Sequence, residues 1–364
     1  VEIYGNGAKI TQNRPATPTT EHANCVGFVG CTNVYAESLV CENANGDGIY
    51  IDNHNDGKDL NNLRLYNFIC NNCGRNGGSI NGGSNILISG CVFKNTNGIA
   101  PQAGFDVEPL ARNLTCENII FENCIFENNQ SAGIKVTGYG NTTGYSFYVK
   151  VKGCKSIENQ FGFVVNNIMH SSGLIEYINC YSLKNRYCGV LDSDNDDSVN
   201  RIYSGIVSEG CNTNNQGQSD STASDGSGWG CDFYIGNNKN ITNSGNVTIE
   251  NCKSKSPLAK SAFGVVSYPQ ADIIHFVRIL NCTCDEDIVN FNMRTTSNNT
   301  AENFTITDTL ERQEYTGAMD CDHTFTICRG GGYLRNVLTG VKVKYRSDTG
   351  NTISNDAFTI NGVI

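Results

Sequence analysis

Ile119-Ile-Phe-Glu-Asn-Cys124-Ile-Phe-Glu-Asn128, followed by Gly133-Ile-Lys-Val136, is the phrase on which the fold turns. Its apolar residues alternate with polar ones at period two, the mark of strands that bury one face. A Cys falls between two strands, Asn closes the second, and a Gly opens a third. The phrase recurs at Ile86-Leu-Ile-Ser-Gly-Cys91-Val-Phe-Lys-Asn95, at Val149 to Asn159 with Gly162-Phe-Val-Val165, and at Ile175 to Asn185 with Gly189-Val-Leu191. Weaker copies lie around Leu39 and Phe68, where a larger apolar residue takes the Cys place, and around Cys211, Cys252 and Cys282.

The marker thus falls at 39, 68, 91, 124, 154, 180, 211, 252 and 282, in steps of 29, 23, 33, 30, 26, 31, 41 and 30 residues. So loose a period suits a stack of coils joined by loops of variable length, not a leucine-rich repeat or a propeller. Each unit holds two or three short strands and no 3.6-residue periodicity. The expected fold is all-β, a right-handed parallel β-helix in which each coil covers the apolar interior of the next. The longest step contains the Ser/Gly/Asp-rich run Gln216 to Gly228, read as an excursion from the stack. The pattern fades near residue 300. Residues 1–300 are read as the helix with its carbohydrate groove, and 301–364, with Gly330-Gly-Gly332 and Val341-Lys-Val-Lys-Tyr345, as a cap or oligomer contact.

Composition agrees. The 364 residues include 50 Asn and 39 Gly against 6 Pro and 1 Trp, so tight corners are many. A hydrophobic share of 38% with 17% charged residues excludes a disordered chain. The net charge of −10 excludes a general nucleic-acid binder, which needs a basic face. No apolar run is long enough to span a membrane as a helix. The chain starts at Val1 without a Met or a leader, so a removed upstream segment is expected.

Eighteen cysteines in so long a chain read as small buried hydrophobes, because they recur inside apolar strands. Cys70-Asn-Asn-Cys73 has zinc-like spacing, but no second pair or His cluster follows it. Asp192-Ser-Asp-Asn-Asp-Asp197 begins like a calcium loop and lacks the Gly and Glu that complete one, so it reads as a solvated acidic turn. No metal or cofactor is implied.

Registering the strand that follows each Gly places Ile49, Ile51, Ile80, Phe105, Val107, Ile134, Val136, Phe163 and Val165 inward. Two outward files result: Tyr50, Ser79, Asp106, Lys135, Val164 and Asp52, Asn81, Glu108, Thr137, Asn166. These form a polar groove wall facing solvent. Asp106 and Glu108 have Cα atoms about 6.7 Å apart on one strand, and Asp52 stands two coils, roughly 9.6 Å, from Glu108. Both spacings lean toward the carboxyl separation of inverting glycosidases. Lys135, one coil from Asp106, would hold that acid ionised and leave Glu108 as the better proton donor. Outward acids are ordinarily plain surface. Here Asp-Val-Glu-Pro109 interrupts files otherwise filled by Asn, Thr and Ser, and Arg75 and Gln102 precede the same face, suited to sugar hydroxyl or carboxylate groups. His54, near Asp52, joins the binding candidates.

The segment Arg75-Asn-Gly-Gly-Ser-Ile80, with Asn95-Thr-Asn-Gly-Ile-Ala-Pro-Gln-Ala-Gly-Phe-Asp-Val-Glu-Pro109, resembles the NTNG-x-APQ-x-GIDIEP stretch of β-helix tailspike and appendage proteins of bacteriophages. Val1-Glu-Ile-Tyr-Gly-Asn-Gly-Ala-Lys-Ile10 resembles the first coil of such spikes. The resemblance implies a homotrimer on the virion tail, or a secreted protein, attached through an upstream region, that cleaves a bacterial capsular or other surface polysaccharide. It carries over Asp106 and Glu108 as the acid pair with Arg75 nearby. Phe105 stands where Ile is usual and Gly78 where Ile often stands, both inward. Gly104-Phe-Asp-Val-Glu108 is also similar to the Gly-Phe-Asp-Pro-His-Glu motif of alginate C5-epimerases, with Glu108 in the His place and Thr137 near that of a downstream Asp. Lys135 and Tyr139 would then substitute, which makes a lyase or C5-epimerase on a uronic-acid polymer the enzymatic alternative. A glycan-binding adhesin is the non-enzymatic one.

Overall fold

In the computed structural model the backbone is described for residues 1–213 except 19, 55–57, 111–114 and 139–143; past a break at 214–230 it is described for a series of strands ending at Ile360–Asn361. All paired strands are parallel and join residues one coil apart. The protein is a parallel β-helix.

Each coil turns through three faces. Among the described residues the first face has ten strands, including Ile49–Asp52, Gly78–Ile80, Phe105–Val107, Ala132–Thr137, Phe161–Asn166 and Cys188–Ser193. The second includes Asn61–Tyr66, Gly83–Ser89, Thr115–Glu122, Ser146–Lys152, Ser172–Ile178 and Asn200–Ser204. The third is a file of three-residue strands: Ile69–Asn71, Val92–Lys94, Ile125–Glu127, Lys155–Ile157, Tyr181–Leu183 and Val207–Glu209. The ladder runs on past residue 300, where Thr300–Glu302 pairs with Tyr333–Arg335 and that strand with Ile360–Asn361. Gly330-Gly-Gly332 lies outside the described residues.

Inward residues from all three faces form one core, in which Phe93, Phe105, Phe121 and Phe126 interlock with ring centroids 4.8 to 6.4 Å apart. Each such ring removed from water stabilises the stack by about 2–3 kcal/mol. Gly78 lies directly opposite Phe105. A Cβ on Gly78 would stand 2.4 Å from the Phe105 ring, so the large residue of one coil fills the space that the small one leaves in its neighbour. The two departures from the spike pattern are therefore one compensated exchange.

Asparagine shapes the corners. Asn43, Asn72, Asn95, Asn118 and Asn128 all have positive φ, a conformation Asn tolerates better than other residues with a side chain. Their amides link successive coils, as in Asn72 Nδ2 to Asn43 Oδ1 at 2.8 Å and Asn128 Nδ2 to Asn95 Oδ1 at 2.8 Å. A second, buried file runs beneath them. Asn159 Oδ1 accepts the Asn129 N–H at 2.8 Å, and Asn185 Oδ1 accepts that of Asn159 at 2.9 Å. Backbone donors stranded at a bend are thereby satisfied, coil after coil.

Among the cysteines whose side chains are described, all fourteen are free and twelve are buried. Cys91, Cys124, Cys154, Cys180, Cys252 and Cys282 hold the bend between the second and third faces. Cys211 does not. It lies two residues past a third-face strand, and Ile206 fills the bend in that coil. The repeat of that coil is therefore 26 residues, from 180 to 206, and the next is 46, from 206 to 252.

The acidic run 192–197 differs from its expected solvated turn. Asp192 shares the inward file of Val165 and Ile235, and Arg201 that of Ile175 and Val247. Both are buried, with Arg201 Nε 2.9 Å from Asp192 Oδ2 and the Tyr203 hydroxyl donating to the same oxygen at 2.9 Å. Arg201 Nη1 also donates to the Asp196 and Val199 carbonyls, at 2.9 and 2.8 Å. An ion pair thus occupies two positions that neighbouring coils fill with hydrocarbon.

Candidate active site

The first-face register sets Tyr50, Ser79, Asp106, Lys135 and Val164 in one file, each residue opposite the next. Phe105 and Val107 belong to the core, so Asp106 between them points out of the coil. It does not reach solvent. Its exposure is 0%, and neither carboxylate oxygen has a hydrogen-bond partner. The expected solvent-facing wall is instead closed at Ser79, Asp106 and Val164, and Tyr50 and Lys135 in the same file are half-buried. Glu108, two residues on, keeps 21% of its side chain exposed.

Arg75 organises the acids. Its Nη1 lies 3.2 Å from Asp47 Oδ2 and its Nη2 3.8 Å from Glu108 Oε2. Asp47 is fully buried. Its Oδ2 also accepts the Ser79 hydroxyl at 2.6 Å, and its Oδ1 the Asn76 N–H at 3.0 Å. Asp47 therefore takes the Ser79 donor that stands beside Asp106 in the ladder. Gly46 accepts the Arg75 N–H at 3.0 Å, which seats the start of the guanidinium stem one coil from Asp47.

Burial raises all three carboxyls. It pushes Asp47 up to about 6, with Arg75 opposing. Burial raises Asp106 against the pull of Lys135 and Arg75. Glu108 is pushed up to about 7, by burial first and by the charge of Asp106 next, with Lys135 and Arg75 opposing and Glu21 adding to the rise. Glu108 is therefore an acid poised to give a proton near neutrality while touching water. Arg75, surrounded by Asp47, Asp106, Glu108 and Glu21, stays charged.

The remaining candidates scatter. Asp52 is 2% exposed and accepts the Tyr50 hydroxyl at 2.6 Å. Gln102 turns its amide back to the Gly98 carbonyl of its own loop at 2.8 Å. His54 is exposed, with its N–H on the Lys58 carbonyl at 2.8 Å. Lys135 is half-buried beside Asp106. Tyr139 lies outside the described residues. Sequence reading missed Asp47 and Glu21. Asp47 carried a signal, because Gly46-Asp-Gly48 precedes a first-face strand as Gly74-Arg-Asn-Gly77 precedes the next. Glu21 lies outside the repeat and carried none. Among the described residues no cluster of His, Cys, Asp and Glu is arranged to hold a metal ion.

No protein-family model matches the chain. No curated protein matches it either. Among solved structures it is similar to the catalytic domain of a GH87 alpha-1,3-glucanase in complex with tetrasaccharides, at a TM-score of 0.43 and 12% identity. That likeness covers 100% of this chain, which spans 64% of the length of that structure.

Proposed function

We propose that the protein is an endo-glycosidase that hydrolyses a bacterial capsular or other cell-surface polysaccharide, working as a phage tailspike-type depolymerase. The observation that carries the reading is Glu108, part-exposed, pushed up to about 7 and facing Arg75 Nη2 at 3.8 Å. In the proposed step Glu108 protonates the departing glycosidic oxygen while a water attacks the anomeric carbon. Asp106 has no surface with which to meet that water. Its part is to hold the Glu108 proton through its buried charge. Asp52, in the Glu108 file, is the carboxylate proposed to take up the proton of that water. Arg75 and Lys135, two cations beside the acids, suit a polymer with anionic sugars, and Gln102 and His54 are further sugar-binding candidates.

On this reading the protein acts outside the cell, on the virion tail or secreted, and as a homotrimer. Residues 301–364 cap the stack or contact neighbouring copies. The test is incubation of the purified protein with a panel of capsular polysaccharides. New reducing ends support hydrolysis. Ultraviolet absorbance from an unsaturated sugar replaces the reading with a lyase, and binding without either signal replaces it with an adhesin.

A further inference from the structure

We infer that His170, held in place by Asp196, is a sugar-hydroxyl contact two coils along the stack from Glu108. Its ligand is the polysaccharide of the reading above, on which this step rests.

His170 stands at the corner between the first and second faces, just past the strand Phe161–Asn166. Its φ is +45°, in the left-handed region that residues with a Cβ use sparingly. Asp196, at the same corner of the next coil, holds it there. Asp196 Oδ2 accepts the His170 N–H at 2.5 Å and lies 3.4 Å from Nδ1 of the ring. Asp196 Oδ1 accepts the Ser198 N–H at 3.0 Å and the Ser198 hydroxyl. Ser198 Oγ in turn accepts the Ser171 N–H at 3.0 Å. The carboxylate is only 7% exposed and is spent on this corner, whereas the imidazole is 77% exposed.

The core reinforces the corner. Arg201, paired with Asp192, donates from Nη1 to the Asp196 carbonyl at 2.9 Å. Asn195 Nδ2 donates to Asp192 Oδ1 at 2.8 Å and to the Val165 carbonyl at 2.9 Å, and its Oδ1 accepts the Ile168 N–H at 2.9 Å. The Asp196 N–H closes on the Ile168 carbonyl at 3.0 Å. Neighbouring coils turn the same corner with hydrocarbon at the Asp192 and Arg201 positions. Here the buried ion pair fixes from inside the loop whose carboxylate aims an exposed histidine. A rigid polar layer beneath an exposed polar group is how a ligand contact is held in one orientation.

The chemistry selects the ligand. With Nδ1–H toward Asp196, Nε2 faces water, accepting a hydrogen bond in the neutral ring and donating one in the protonated ring. A hydroxyl answers both. Asp196 already balances the charge of a protonated ring, so the pair has no net charge with which to draw an acidic group. Sugar hydroxyls fit it, as acidic sugars fit Arg75 and Lys135. The register of Val107 with Val136 and of Thr137 with Asn166 sets Asn166 two coils, roughly 9.6 Å, from the level of Glu108. His170 follows Asn166 by four residues, past the same strand ends as Glu108. A polymer laid along the stack meets it only by extending beyond the sugars at the cleavage point.

The experiment titrates wild type, His170→Ala, His170→Asn and Asp196→Asn by calorimetry with long and short fragments of a capsular polysaccharide that wild type binds, and follows reducing ends alongside. Asn suits the left-handed backbone, so His170→Asn separates loss of the ring from backbone strain. Expected for all three variants is a long-fragment Kd about 3–10-fold higher, as for one lost hydrogen bond, with the short-fragment Kd and kcat unchanged. Asp196→Asn at the wild-type Kd overturns positioning by Asp196. His170→Asn binding the long fragment as tightly as wild type, or weakening on short and long fragments alike, overturns the hydroxyl contact and leaves the hydrolase reading standing. A wild type that binds the long fragment without cleaving it overturns the hydrolase reading, and the three Kd values still decide the contact. A wild type that binds no glycan of the panel overturns both.

Discussion

Arg75 grips Asp47 with one nitrogen at 3.2 Å and faces Glu108 with the other at 3.8 Å, so a buried carboxylate on one coil fixes a cation beside a part-exposed acid two coils away. The same buried acid removes the Ser79 hydroxyl from the reach of Asp106. Asp106 is left without donors, two residues before Glu108, which lies just past the end of its strand. The arrangement concentrates charge where water is scarce, and there charges shift one another most.

A first consequence is the pH profile. Glu108 must be protonated to give its proton, so kcat/KM falls on the alkaline side with an apparent pKa near the about 7 of that group. Asp106→Asn removes a charge that raises Glu108 and moves this limb to lower pH; Lys135→Met removes one that lowers it and moves the limb up. Reducing-end assays across pH check both directions.

Asp47 acts through Arg75. Asp47→Ala strands a guanidinium among buried groups and costs about 3–5 kcal/mol, as when one partner of a buried pair is lost. Asp47→Asn keeps one acceptor oxygen, for the Asn76 N–H, and costs less. In both, KM for an anionic polymer rises more than kcat falls. Thermal unfolding and steady-state kinetics on the two variants separate the effects.

Stability depends on pH in a stated direction. Asp47 and Glu108 are held at about 6 and about 7, above the unfolded values of roughly 3.9 and 4.3. The folded protein therefore binds more protons than the unfolded chain between those limits, and stability falls as pH rises from about 4 through about 7. Glu108→Gln removes the upper part of this slope, which melting temperatures measured at closely spaced pH values detect.

The ion pair of Asp192 and Arg201 replaces core hydrocarbon. Asp192→Ala alone costs about 3–5 kcal/mol. The double change Asp192→Val with Arg201→Val, which restores the residue types of neighbouring coils, costs far less or stabilises. Urea unfolding of the single and double variants measures the difference.

The coil repeat was readable because period two and the Asn and Gly corners are local signals that recur. The inward files from Ile49 to Val165 followed from register alone and lie in the core. Phase failed where chemistry imitates the marker: Cys211 looks like Cys180 in sequence, yet Ile206 is the residue two strands enclose. Polarity misled at Asp192, because a run of acids gives no hint that an arginine nine residues on lies inside the same coil. At the site, alternation told that Asp106 and Glu108 point away from the core but not how much water reaches each. Access depends on what lies over a strand, and single-strand periodicity does not carry it.

The claim that Glu108 is the proton donor meets its most direct test in the rate of reducing-end release by Glu108→Gln beside wild type, on the glycan that wild type cleaves best. The account predicts an unchanged circular dichroism spectrum with a loss of about 10²–10⁴-fold in kcat. A folded Glu108→Gln variant that cleaves at the wild-type rate contradicts it.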